Sequence, residues 1–128
     1  TTSLAEGTRG VFVIDCSNNG AISSSGDAAG IVGDSAIISI KDCYNNASVT
    51  ASNYAGGIVA ECSDTDSSIT WTTSGTIIIN GDNGAINGKY AGALAGRCLK
   101  SIDTSSLDNK GDITSTQGAV NEFIGLAS

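Results

Sequence analysis

Three runs of mostly β-branched residues punctuate the chain, Val11-Phe12-Val13-Ile14, Ile37-Ile38-Ser39-Ile40 and Thr76-Ile77-Ile78-Ile79, and each stops at a cluster of Asn, Asp or Gly. Apolar runs bounded by turn residues predict β-strands. Four shorter pieces place one branched apolar residue among small ones: Ala21-Ile22-Ser23-Ser24, Ser48-Val49-Thr50-Ala51, Ala85-Ile86-Asn87-Gly88 and Asp112-Ile113-Thr114-Ser115. Successive side chains on a strand point to opposite faces, so Ile22, Val49, Ile86 and Ile113 are expected inside and Ser23, Thr50, Asn87 and Thr114 outside. A third kind of piece, at Ile31-Val32, Ile58-Val59, Ala93-Leu94 and Phe123-Ile124, has a glycine on at least one side, which permits close backbone approach at a corner. No segment sustains a helical period.

These pieces recur in order. Cys16-Ser17-Asn18-Asn19-Gly20-Ala21-Ile22 is answered by Cys43-Tyr44-Asn45-Asn46-Ala47-Ser48-Val49, and more loosely by Asn80 to Ile86 and Leu107 to Ile113. Ala29-Gly30-Ile31-Val32-Gly33 returns as Gly56 to Ala60, as Gly92 to Gly96 and in degraded form as Glu122 to Leu126. Repetition on this scale predicts stacked copies of one supersecondary unit. The expected fold is all-β: a short right-handed parallel β-solenoid of about four coils, at residues 11–36, 37–62, 76–98 and 102–127. An arm at 1–10 precedes this single domain of 11–128. Residues 63–75 lengthen the gap between coils 2 and 3 and are expected to form an inserted loop or strand pair. Coil 4 lacks both cysteine positions, as terminal repeats often lack repeat features, which makes it a cap or an assembly surface.

Composition narrows the function. Apolar residues make up 40% of the chain, which argues against disorder despite 17 glycines and 5% aromatics. A net charge of -7 would repel a phosphate backbone, so nucleic acid is not an expected partner. The apolar runs fall far short of the ~18 residues of a membrane span, so no membrane insertion is expected. Met is missing even from position 1, which suggests that a signal peptide has been removed. Four cysteines with no histidine speak for disulfides rather than zinc, and hence for an extracellular or cell-surface location. Strands stack at ~4.8 Å, within the ~4.4 to 6.8 Å that a disulfide spans, so equivalent cysteines should pair as Cys16 to Cys43 and Cys62 to Cys98.

The lack of histidine also removes the common nucleophilic triads and most transition-metal sites, so neither catalysis nor a cofactor is expected. Asp64 and Asp66, with Glu61, are a candidate oxygen set for Ca²⁺, but one acidic pair falls short of the roughly six to eight ligands needed, so a solvated acidic loop is the expected state and no metal is expected. Asp15 and Asp42 would stack like charges and are expected at a solvated corner. Asn46-Ala47-Ser48 is the only glycosylation sequon. The row Ser23, Thr50, Asn87 and Thr114, with Ser25, Ser52, Lys89 and Thr116 beside it, is the candidate ligand face. It suits a sugar or an ice surface, or is an ordinary solvated strand face. Trp71 is either a stacking platform or a loop anchor. The Asn-Gly pairs at 19, 80, 83 and 87 read as turn formers, since no helix follows them to make a phosphate loop.

Tyr54-Ala55-Gly56-Gly57-Ile58-Val59 and Asp42-Cys43-Tyr44-Asn45-Asn46 resemble the GLUG-motif repeats of bacterial and protist surface proteins, and the resemblance extends over about Val11 to Gly125. It implies an extracellular β-solenoid of adhesin-like or surface-array type, and it brings no catalytic residues. The expected role is a secreted, non-enzymatic subunit of a filament or surface layer, self-associating head to tail through an edge at Phe123, Ile124 and Leu126. The alternative is a glycan- or ice-binding module that acts as a monomer or within a larger surface protein.

Overall fold

The computed structural model describes residues 11–35, 38–62, 68–70, 77–99 and 104–127, and all regular structure among them is β-strand. The chain first lays down β1 (Val11–Ile14), β2 (Ser17–Asn18), β3 (Ile22–Ser24), β4 (Ala28–Ala29) and β5 (Val32–Ser35). It repeats the sequence as β6 (Ile38–Lys41), β7 (Tyr44–Asn45), β8 (Val49–Ala51), β9 (Tyr54–Gly56) and β10 (Val59–Cys62). A further set follows as β11 (Ser68–Thr70), β12 (Ile77–Asn80), β13 (Ile86–Gly88), β14 (Tyr90–Gly92) and β15 (Ala95–Cys98). The last strands are β16 (Leu107–Asn109), β17 (Ile113–Ser115) and β18 (Ile124–Leu126).

Through β15 each strand pairs in parallel with the strand five places on, which gives five stacked sheets. Their orders are β1-β6-β11, β2-β7-β12-β16, β3-β8-β13-β17, β4-β9-β14 and β5-β10-β15-β18. The register keeps equivalent residues side by side: Ile22, Val49, Ile86 and Ile113 form one row, and Ser23, Thr50, Asn87 and Thr114 the next.

One assignment changes. The run at Ile77–Asn80 looks like the β-branched runs of β1 and β6, yet it pairs in the second sheet, with β7 and β16. The partner of β6 in the first sheet is instead β11, which lies inside the stretch expected to be an insertion. A β-branched run signals a strand but not its neighbour, so pattern alone could not separate the two positions.

Interior positions hold two apolar clusters. One gathers Ile40, Ile58, Val59, Ile79, Leu94, Phe123 and Ile124, with Cys43, Cys62 and Cys98. The smaller gathers Ala28, Val49, Ala51, Ala55, Ile86 and Ala91. Val49 and Ile86 are wholly buried, as the alternation predicts, and each contributes on the order of 1.5–3 kcal/mol through burial. Near Tyr54 and Ala55 the fourth and fifth sheets meet backbone to backbone: a Cβ on Gly96 would sit 2.7 Å from the Ala55 nitrogen. Only glycine allows that approach.

Candidate functional site

The outward row of the third sheet is built as its alternation requires. Val49 and Ile86 fill the interior, and the residues after them turn outward: Ser23, Thr50 and Thr114 are exposed and Asn87 is half-buried. Ser25, Ser52, Lys89 and Thr116 are exposed alongside. At the adjoining corner Tyr54 and Tyr90, partners in the fourth sheet, stack with ring centroids 5.8 Å apart and planes at 28°. The Asp27 carboxylate accepts the Tyr54 backbone N–H at 3.2 Å and so ties the turn before this corner to the next layer. Hydroxyls and an amide at strand spacing can hydrogen-bond a polyhydroxylated ligand, and a half-exposed tyrosine pair, here in the following sheet, can cover an apolar face. Tyr54 enters the sequence reading only within the repeat motif and Tyr90 not at all, although Tyr-Ala-Gly occurs twice at equivalent places.

A second feature was misread from sequence. Asn18, Asn45, Asn80 and Asn109 form a continuous amide ladder along the second sheet. Asn18 Nδ2 donates to Asn45 Oδ1 at 3.0 Å, Asn45 Nδ2 to Asn80 Oδ1 at 2.7 Å, and Asn80 Nδ2 to Asn109 Oδ1 at 2.7 Å. The second proton of each amide goes to a backbone carbonyl, of Gly20, Ala47, Gly84 and Gly111 in turn. Asn45 and Asn80 are fully buried, and no buried side-chain polar atom among the described residues lacks a partner. Asn80 is therefore a core residue rather than a turn former. Each amide offers two donors and an acceptor, which is what a column of identical residues needs to satisfy itself.

All four cysteines are thiols in this structure, without the two bridges expected. The geometry nevertheless places the expected partners together. Cys62 and Cys98 are register partners, both buried, and the Tyr44 N–H donates to the Cys16 carbonyl at 3.0 Å, which aligns Cys16 with Cys43. Cys16 is exposed and Cys43 buried; burial first, and then the neighbouring Cys16, push the Cys43 thiol above its ordinary 9.0, against backbone hydrogen bonds that pull it down. Glu61, proposed as a Ca²⁺ ligand, is instead paired with Arg97 at 2.8 Å, and no group of three potential metal ligands occurs among the described residues. Asp64, Asp66 and Trp71 lie outside those residues. Asp15 and Asp42 adopt left-handed φ values of 55° and 57°, a conformation Asp tolerates, and make the corner between the first and second sheets in both layers.

The expected assembly edge is differently built. Phe123 and Ile124 point into the main core at 7% exposure each, and Leu126 is half-buried, so what faces outward from β18 is backbone. That backbone is already occupied. Gly118, at φ +90°, helps to reverse the chain, with its N–H donating to the Ser115 carbonyl, and the following segment lies against β18. Asn121 Oδ1 accepts the N–H groups of Phe123 and Ile124 at 2.8 and 2.9 Å, and the Val120 and Asn121 N–H groups both donate to the Ile124 carbonyl. One residue on, Glu122 Oε2 accepts a hydrogen bond from Asn109 Nδ2 at 3.4 Å, at the end of the amide ladder. Comparison of the chain with protein-family models, with curated proteins and with solved structures finds no match.

Proposed function

We propose that the chain is a short right-handed parallel β-solenoid of four coils that serves as a secreted, non-enzymatic binding module of the cell surface. It engages a glycan through the row Ser23, Thr50, Asn87 and Thr114 and the stacked tyrosines beside it. The observation that carries this reading is the register, which turns four scattered polar residues into one column, with a stacked tyrosine pair in the sheet that follows it along the chain. Lys89 interrupts the neighbouring row with a charge, which suits a sugar better than the regular lattice of ice. An oxidising location would close Cys16 to Cys43 and Cys62 to Cys98 at positions the strand register has already aligned. The resemblance of Tyr54 to Val59 and Asp42 to Asn46 to GLUG-type surface repeats supports this location.

A glycan array tests it, run with the wild type and with Thr50→Glu, whose exposed site tolerates the change. Selective binding that Thr50→Glu and Tyr90→Ala both abolish is expected. Binding unaffected by either substitution, or no binding together with thermal hysteresis, would reject the glycan face.

The second reading is a head-to-tail filament subunit. It is favoured by parallel sheets whose two ends are chemically opposite, and it is opposed by the closure of β18 by its own chain. Sizing at rising concentration separates the two.

A further inference from the structure

The fifth sheet repeats one hydrogen-bond arrangement at every step. Ile31 and Val32 N–H both donate to the Ile58 carbonyl, at 3.3 and 2.9 Å; Ile58 and Val59 to the Leu94 carbonyl, at 3.1 and 2.9 Å; Leu94 and Ala95 to the Phe123 carbonyl, at 3.0 Å each. The next pair of donors, Phe123 and Ile124, would meet the equivalent carbonyl of a following layer. They meet Asn121 Oδ1 instead, at 2.8 and 2.9 Å. A side-chain amide oxygen stands in for a backbone carbonyl.

The second sheet ends in a parallel way. The amide ladder is directional, each Nδ2 facing the Oδ1 of the next layer, so Asn109 is left with a donor and Asn18 with an acceptor. The Asn109 donor is taken by the Glu122 carboxylate, and among the described residues Asn18 Oδ1 accepts the N–H of Gly20 two residues on and no other.

We infer that Asn121 and Glu122 close an end-on docking surface whose natural complement is the first layer of a second copy of this chain. Resting on the solenoid reading above, this pairing sets the Ile31 carbonyl of the second copy where Asn121 Oδ1 now lies, and Asn18 Oδ1 where the Glu122 carboxylate lies. The internal steps of the stack show that this complement works, since residues equivalent to Ile31 and Asn18 already fill those roles within the chain. Parallel edges left open template further strands, and two adjacent side chains hold this one shut. The occupant is a copy rather than an extended foreign peptide, because two donors from the fifth sheet and one from the second must be met at once at fixed separation. A displaced 118–121 segment would leave the core residues Phe123 and Ile124 in place, which makes the cap removable without dismantling the stack.

The test compares sedimentation velocity over a concentration series for wild type, Asn121→Ala/Glu122→Ala, and Asn121→Asp, each verified as folded by far-UV circular dichroism. Wild type and Asn121→Asp, which keeps the Oδ1 acceptor, are expected to remain monomeric. The double variant is expected to reach at least the mass of a dimer, and adding Asn18→Ala should return it toward monomer. If Asn121→Ala unfolds the chain, Glu122→Ala alone, at an exposed side chain, must still raise the average mass. A folded double variant that stays monomeric, association indifferent to Asn18→Ala, or a wild type that polymerises with its cap intact would each overturn the inference. None of these results bears on glycan binding, so the two readings fail separately.

Discussion

Replacing Asn80 by alanine should be among the most damaging single changes in this chain. Asn80 is wholly buried; its Oδ1 accepts from Asn45 at 2.7 Å, and its Nδ2 donates to the Gly84 carbonyl and to Asn109 Oδ1, both at 2.7 Å. Truncation removes all three bonds. Asn109 Oδ1 keeps the Gly111 N–H, but one Asn45 amide proton and the Gly84 carbonyl are left buried without partners. Each orphaned group costs about 1–3 kcal/mol, so the loss is roughly 2–6 kcal/mol before any cavity is counted. A domain whose total stability is on the order of 5–15 kcal/mol would lose a large part of it. Asn80→Asp should be at least as harmful, because it sets a second oxygen against two acceptors and buries a charge. Urea unfolding followed by circular dichroism gives the difference directly, with Asn19→Ala at an exposed turn position as the control. If Asn80→Ala and Asn19→Ala lower the midpoint equally, the ladder contributes nothing and Asn80 is only a turn residue.

Three further outcomes are expected. Val49→Asp buries an unpaired carboxylate between Ile22 and Ile86 and should destabilise by several kcal/mol, while Thr50→Asp on the outer row stays within about 0.5 kcal/mol; equal shifts in urea midpoint would reverse the assignment of faces. Ile124→Lys, at a core position, should lower the unfolding midpoint far more than Leu126→Lys at the half-buried rim beside Arg97, and a fully folded Ile124→Lys protein would contradict the packing of β18. In the reduced protein Cys16 should alkylate first and Cys62 and Cys98 only on unfolding; because Cys43 is held protonated above the ordinary 9.0, its stabilising contribution is complete below that pH and falls as pH rises through the folded value, which unfolding midpoints across the alkaline range would reveal.

The sequence determined the local elements and their faces. Alternation around Ile22, Val49, Ile86 and Ile113 needs no knowledge of neighbours, because a strand's side-chain period of two holds wherever the strand sits. Matching repeats then put Ser23, Thr50, Asn87 and Thr114 in one row, since stacked copies must align equivalents. Tertiary structure decided what depends on neighbours. Ile77–Asn80 went to the second sheet, beside β7 and β16, a choice of neighbours to which its β-branched composition is blind. Asn-Gly favours a turn locally, yet burial between two other asparagines made Asn80 a core residue, a role that exists only when the neighbouring strands supply donors and acceptors in line. Phe123 and Ile124 likewise read as an apolar edge by being terminal, and only the path of the chain from Gly118 to Glu122 turned that edge into a closed one.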